Sequence, residues 1–308
     1  LLKLYLKNKM TKINFNHSLI FFNLCIFLSS IEYLRSNNLI IVSLFLILTI
    51  GISHGSLDHI KGKQLLKILG FKSSFIFYLG YLTISLISIF TWILFPNFLL
   101  LFFLIVASYH FGKEDSEFVN KNKKKKFELV YFLKGSLVIV VPLLFHKNET
   151  LFIFQSLNFD ISESILINNL MLYYFILLSF CSSVFLSLNK SFDIKSLLLM
   201  DFLSILILNY FLHPILAFSI YFCFLHSIRH SISLIKKINN NIKKGFPIFL
   251  KKTFPLTIIT ILAYVIALFF LNNYNELDET IYKVMFIGLA SLTFPHILLE
   301  YLLEKNAK

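Results

Sequence analysis

Residues 39–59 read LIIVSLFLILTIGISHGSLDH, and this stretch decides the fold because a long apolar run leads directly into polar residues. Polar groups at membrane depth are costly and usually have a function. Gly51 and Gly55 are four residues apart, a spacing that lets a second helix approach closely. The stretch therefore predicts a membrane helix that carries a polar site near one of its ends.

The composition of the whole chain agrees with a membrane protein. Of its 308 residues, 57% are hydrophobic and 15% are charged, and the mean hydropathy is +0.77. One soluble core could not bury so much apolar surface, and the repeated apolar runs are long enough to span a bilayer. The net charge of +13 comes from lysines between these runs, without a nucleic-acid recognition motif. We expect an all-α, polytopic transmembrane helix bundle that binds no nucleic acid.

Ten spans are predicted, and lysines concentrate in every second connection. This asymmetry is the positive-inside signature and predicts that both termini are cytoplasmic, which requires an even number of spans. Eight spans result if two short segments only dip into the membrane. The chain is expected to form a single integral-membrane domain over 1–308, with a basic cytoplasmic segment at 1–16 and the bundle at 17–303. The predicted spans are 17–34, 38–56, 71–95, 97–113, 128–146, 165–188, 194–212, 214–235, 253–272 and 281–303.

Five of the nine histidines recur near the ends of even-numbered predicted spans: His54, His110, His226, His230 and His296. Even spans of an up-down bundle run in the same direction, so these imidazoles are expected at similar depth toward the cytoplasmic side. His226 and His230 are spaced i, i+4, a common arrangement for two metal ligands on one helix face. The pattern predicts a metal site for iron, copper, zinc or nickel. Helix packing is the alternative role of a membrane histidine.

Acidic residues accompany these histidines. Asp58 lies four residues after His54 and can orient its imidazole through the second ring nitrogen. Asp115 lies five residues after His110 and is either a similar partner or a solvated loop charge. Glu300 lies one turn beyond the last histidine of the pattern. The other histidines at predicted span ends or turns are interpreted as interfacial: His17, His146 and His213.

Four motifs occur in a fixed order: GISHGSLDH at 51–59, HFGKED at 110–115, HSIRH at 226–230 and FPHILLE at 294–300. This ordered set resembles the Brp/Blh family, the membrane-embedded β-carotene 15,15′-dioxygenases found beside microbial rhodopsins. The resemblance covers residues 38 to 303 and leaves the first predicted span unmatched.

The resemblance implies an enzyme that uses iron(II) and O₂ to cleave the central double bond of membrane-dissolved β-carotene into two molecules of all-trans-retinal. It further implies a functional link to a microbial rhodopsin and a place in the inner membrane of a bacterium. The implied iron ligands are His54, His110, His226 and His230.

The roles of several neighbouring residues stay open under the resemblance: Asp58, His59, Asp115 and His296. Tyr109 and Tyr221 lie near the proposed ligands and could contact the polyene, and packing within the bundle is the alternative for both.

Three other functions compete with this interpretation. A membrane di-iron desaturase or hydroxylase needs more histidines, in HxxxH and HxxHH boxes, whereas this chain has one HxxxH and no HH pair. A divalent-metal or proton transporter should carry polar residues across the full membrane thickness or broken-helix repeats in both halves. A non-catalytic partner in rhodopsin assembly would keep the fold without needing the four histidines.

Overall fold

The computed structural model describes residues 2–119, 126–160 and 168–306, and the side chains of residues 2–9, His54 and Lys126 lie outside this description. Within the described residues the chain forms helices joined by short turns, without a β-strand. Ten of these helices are long and apolar enough to cross a membrane. The predicted all-α polytopic class and the number of spans are therefore confirmed.

We label these helices α1–α10 in chain order. Their bounds are Leu2–Ser30, Ile40–Ile68, Phe75–Leu94, Pro96–Glu114, Phe127–Phe145, Asn169–Ser187, Phe192–Phe211, Pro214–Ile238, Ile242–Leu271 and Leu277–Asn306. Two shorter helices, Glu32–Ser36 and Lys147–Ser156, lie in the connections.

The second helix differs from its predicted span, which ended at residue 56. The α2 helix continues to Ile68 through a π-helical turn at Ile47–Gly51, a 3₁₀ segment at Ile52–Leu57 and a regular helix from Asp58. The polar residues do not end the helix: Ser56 hydrogen-bonds to Thr257 of α9, and Asp58 binds His296 of α10. The polar stretch therefore lies within the bundle and not in a loop.

Helix α8 is the centre of the bundle, since most of its residues are buried, whereas α9 lies at the periphery and buries few of its residues. Helix α1 packs along α7, α4 packs along α5, and α3 packs against α10. Helix α8 also contains a π-helical turn, at Tyr221–Ser227. This turn contacts the π-helical turn of α2.

Helices α4 and α5 cross with their backbones in contact. A Cβ atom added to Gly112 would collide with the backbone carbonyl of Tyr131, and one added to Gly135 would collide with that of Ser108. Small residues allow such close approach of membrane helices. This crossing fixes the end of α4, where His110 lies.

Candidate metal centre

Four imidazoles meet inside the bundle, contributed by α4, α8 and α10. The ring centres of His110 and His226 are 5.2 Å apart, those of His110 and His296 are 5.3 Å apart, and those of His230 and His296 are 6.0 Å apart. All four side chains are buried, with exposed fractions of 8% or less. We call this group the imidazole cluster.

The spacing of these rings suits a shared metal ion. With metal–nitrogen bonds of about 2.1 Å, two imidazoles on one metal have ring centres roughly 4.5–6.5 Å apart. Among the described side chains, no group of three or more histidine, cysteine or carboxylate residues is placed so that it could hold a metal ion. The side chain of His54, a ligand that the resemblance implies, lies outside these residues. The chemistry of the imidazole donors and their pairwise spacing fit a divalent transition metal.

Three imidazoles of the cluster are each held by a carboxylate. The Nδ1 atom of His226 lies 2.9 Å from Asp115 Oδ1, and that of His230 lies 2.6 Å from Glu114 Oε2. The third pair joins His296 Nδ1 to Asp58 Oδ2, at 2.8 Å. A carboxylate on Nδ1 fixes the tautomer and ring orientation and directs Nε2 to a metal. These pairs are typical of imidazoles prepared for coordination.

The two π-helical turns explain why the second and eighth helices meet at this level. A Cβ atom added to Gly51 would lie 2.7 Å from the ring of Phe222, so only glycine fits here without a shift of that ring. Ser227 Oγ donates a hydrogen bond to the Gly51 carbonyl at 3.2 Å. π-Bulges are frequent at functional sites. The Gly51 contact places the backbone of His54 beside the helix that carries His226 and His230.

The structure gives Asp58 a partner that its sequence position does not reveal. Asp58 is buried and binds His296, which is 238 residues away in sequence. Tyr81 Oη donates to Asp58 Oδ2 at 3.0 Å, which orients the carboxylate further. His59 hydrogen-bonds through Nδ1 to the Ser56 carbonyl at 2.9 Å.

The structure shows which contacts Asp115 and Tyr221 make, two residues for which the sequence leaves two roles open each. Asp115 is not a solvated loop charge: it is 4% exposed and binds His226. Tyr221 donates its hydroxyl to Asp115 Oδ2 at 2.6 Å, and its buried ring lies within the bundle core and outside the lining of the large cavity described below. Both residues support the His226 imidazole.

Glu300 and Tyr109, the remaining predicted residues, each lie beside a lysine of another part of the bundle or of the same helix. Glu300 forms an ion pair with Lys61 of α2. Tyr109 lies beside Lys113, whose ammonium is 5.8 Å from the centre of the tyrosine ring. Lys113 in turn pairs with Glu304 at 2.8 Å. These pairs join the ends of α2 and α4 to α10.

His17 and His213, which the sequence interprets as interfacial, are both partly buried against other parts of the chain. His17 Nε2 lies 2.8 Å from the Phe224 carbonyl oxygen in α8, so this side chain is a helix-packing contact. His213, in the turn between α7 and α8, is half-buried, and burial lowers its pKa to about 4. It is therefore neutral at ordinary pH.

Glu114 was missed in the sequence, although a signal was present. It lies four residues after His110, one helical turn away, in the motif HFGKED. Its partner His230 lies on another helix, and that pairing depends on tertiary packing.

Two cavities share His110. The larger, of about 780 Å³, runs between α2, α3, α9 and α10 from the imidazole cluster to Asn275 and Lys283. Apart from Asp58, His110 and His296 at one end and these two residues at the other, its walls are mostly apolar. The second, of about 460 Å³, lies between α4 and α10 and is lined by aromatic and charged side chains.

The fold and the site together define an integral-membrane helix bundle with a carboxylate-supported imidazole cluster at the end of an apolar cavity. The family described as beta-carotene 15,15′-dioxygenase matches residues 45–304, and the chain belongs to this family. It is 27% identical over 270 residues to a beta-carotene 15,15′-dioxygenase of the uncultured marine bacterium 66A03, covering 83% of this chain and 91% of that protein. No solved structure matches the chain.

Proposed function

We propose that this multi-pass membrane protein cleaves β-carotene at its central 15,15′ double bond with O₂, giving two molecules of all-trans-retinal, and that iron(II) is its metal. One observation carries the proposal: His110 and His296 belong both to the imidazole cluster and to the lining of the apolar cavity. A hydrocarbon in that cavity would lie directly against the cluster. Family membership supports the same reaction.

The dimensions of the cavity suit a long polyene. Its lining follows α10 from His296 to Lys283, thirteen residues apart (296 − 283), which is roughly 20 Å of helix. One half of the polyene would occupy this cavity. The other half would extend past His110 into the second cavity, beside Phe102 and Phe294. The central bond would then lie at the cluster, and a fixed register of this kind gives one cleavage position.

The cavity also offers a lateral entrance from the membrane. Leu82 and Ile93 of α3 and Ile259 of α9 line it, and all three residues are at least 60% exposed on the apolar outer surface. A substrate dissolved in the bilayer could therefore enter between α3 and α9 without crossing water. The apolar walls would also exclude water from the reacting double bond.

The proposed ligands are the imidazoles of His54, His110, His226 and His230, with His296 as a further member of the cluster. A bound iron(II) would supply the redox chemistry that allows O₂ to react with a carbon–carbon bond. The residues of the chain have separate tasks. Asp115, Glu114 and Asp58 hold the protons at Nδ1 of their histidines, and the cavity holds the polyene. The reaction balances as one β-carotene and one O₂ giving two retinal molecules.

The family context supports two wider proposals. The product would supply a retinal-binding protein of the same membrane, such as a microbial rhodopsin. The location would be the inner membrane of a bacterium, where the carotenoid substrate is dissolved.

The experiment uses bacteria that accumulate β-carotene. Cells that express the protein should lose their orange colour and contain retinal as the only early cleavage product. His110→Ala should leave the cells orange because it removes a cluster imidazole, whereas His146→Ala, in the connection between α5 and α6, should behave as wild type. Orange cells with folded wild-type protein, iron and oxygen present would contradict the proposal.

A further inference from the structure

Helix α1 lies outside the family match, which begins at residue 45, yet it reaches the imidazole cluster through hydrogen bonds. It packs along α7 and contacts the π-helical turn of α8. His17 binds the Phe224 carbonyl oxygen, two residues before His226. Ser18, which is fully buried, faces α7 and α8.

Ser18 belongs to a buried group that includes two charged residues. Its hydroxyl donates to Asp201 Oδ1 of α7 at 2.7 Å and accepts from Arg229 Nη2 of α8 at 2.6 Å. Arg229 also donates to both carboxylate oxygens of Asp201, at 2.7 and 3.0 Å. The exposed fractions of Asp201 and Arg229 are 2% and 3%. A buried ion pair of this kind is stable only when each charged group keeps its partners. Removal of one partner leaves an unpaired charge in a low-dielectric interior.

Arg229 joins this group to the metal centre. Its Nη1 atom donates to the backbone carbonyl of Asp115 at 3.0 Å, and the Asp115 carboxylate holds the Nδ1 atom of His226. Arg229 also lies between His226 and His230 in the HSIRH motif, on the helix that carries both imidazoles. The contacts therefore run from Ser18 through Asp201 and Arg229 to Asp115.

We propose that Ser18, Asp201 and Arg229 are positioning residues. They hold Asp115 in place, and Asp115 in turn orients the His226 imidazole, so that α1 contributes to the geometry of the metal centre. This inference rests on the proposed function, because it assumes that the imidazole cluster binds a metal. Arginine suits the task, since its planar guanidinium binds a carboxylate through two parallel bonds and leaves further donors for Ser18 and Asp115.

The test compares Ser18→Ala and Asp201→Asn with Ser29→Ala, a matched control that removes another buried hydroxyl of α1. Each purified protein is titrated with Co(II), whose visible absorption reports the arrangement of its ligands. Asp201→Asn should weaken Co(II) binding about 10-fold, the lower end of the effect of residues that support a ligand. Ser18→Ala should weaken it several-fold, and both should shift the absorption bands. Ser29→Ala should match wild type.

The outcomes separate this inference from the proposed function. Wild-type protein that binds no Co(II) would contradict the metal centre itself. A wild type that binds Co(II), together with Ser18→Ala and Asp201→Asn proteins that match Ser29→Ala in affinity and spectrum, would overturn only the positioning role. If Ser18→Ala lowers the helical circular dichroism signal, the comparison rests on Asp201→Asn, which keeps the shape of the side chain.

Discussion

At the scale of single residues, the cluster is defined by its imidazole–carboxylate pairs. Glu114 and Asp115 are consecutive, yet they serve His230 and His226, which are one turn apart on α8. Asp58 holds a third imidazole from α10. Each pair joins two helices, so the orientation of each ring depends on tertiary packing. The pairs explain why so many acids lie in the buried part of a membrane protein, where they need partners.

We predict that Glu114→Gln and Asp58→Asn each lower iron affinity or turnover about 10–100-fold, the usual effect of a lost partner of a metal-binding histidine. The amides keep the shape but do not stabilise the proton at Nδ1 as a carboxylate does. Iron content per chain and turnover are measured together. Glu149→Gln, an exposed acid in the connection after α5, is the control and should match wild type.

The sequence predicts which histidines form the site better than it predicts which carboxylate binds each of them. The recurrence of histidines in even-numbered spans predicts that they meet, and His110, His226, His230 and His296 do. The partner of Asp58 was not predictable, because His54 lies one helical turn away in sequence and His296 is brought in by packing of α10. Local spacing cannot reveal a contact of that kind.

At the scale of helices, two features set the position of the site. The π-helical turns of α2 and α8 lie against each other, and the glycines of α4 and α5 allow backbone contact. Apolar run lengths predict the ten spans, because a helix must satisfy its own backbone in lipid. The π-helical turns could not be predicted, since the same residues fit a regular helix equally well.

We predict that Gly112→Ala destabilises the protein by about 1–3 kcal/mol, the usual effect of overpacking. Its Cβ would collide with the Tyr131 carbonyl and move the helix end that carries His110. Thermal unfolding in detergent measures the change. Gly80→Ala is the control, because no atom lies within 4 Å of a Cβ added there. Equal melting temperatures for the two variants would contradict the crossing.

At the scale of the whole molecule, the imidazole cluster lies toward one side of the bundle, and the apolar cavity extends from it toward the other. The distribution of lysines predicts that the cluster faces the cytoplasm. Lys61 and Lys113 fit this orientation, since both lie on the same side as the cluster and pair with acids of α10.

We predict that reporters fused near residues 122, 240 and 308 are cytoplasmic and that one near residue 276 is periplasmic, following the lysine asymmetry. Alkaline phosphatase and a cytoplasmic fluorescent reporter at each position give opposite signals. A periplasmic carboxyl terminus would contradict the orientation, although the helix bundle itself would stand.

The most direct test of the central claim is the yield of retinal from purified protein after metal removal and replacement. Chelated protein should cleave no β-carotene, and added Fe(II) should restore two retinal molecules for each β-carotene consumed. Zn(II) should occupy the imidazoles without restoring activity, because zinc has no redox chemistry. Full cleavage by metal-free protein, or equal cleavage with Zn(II), would contradict an iron centre held by the imidazole cluster.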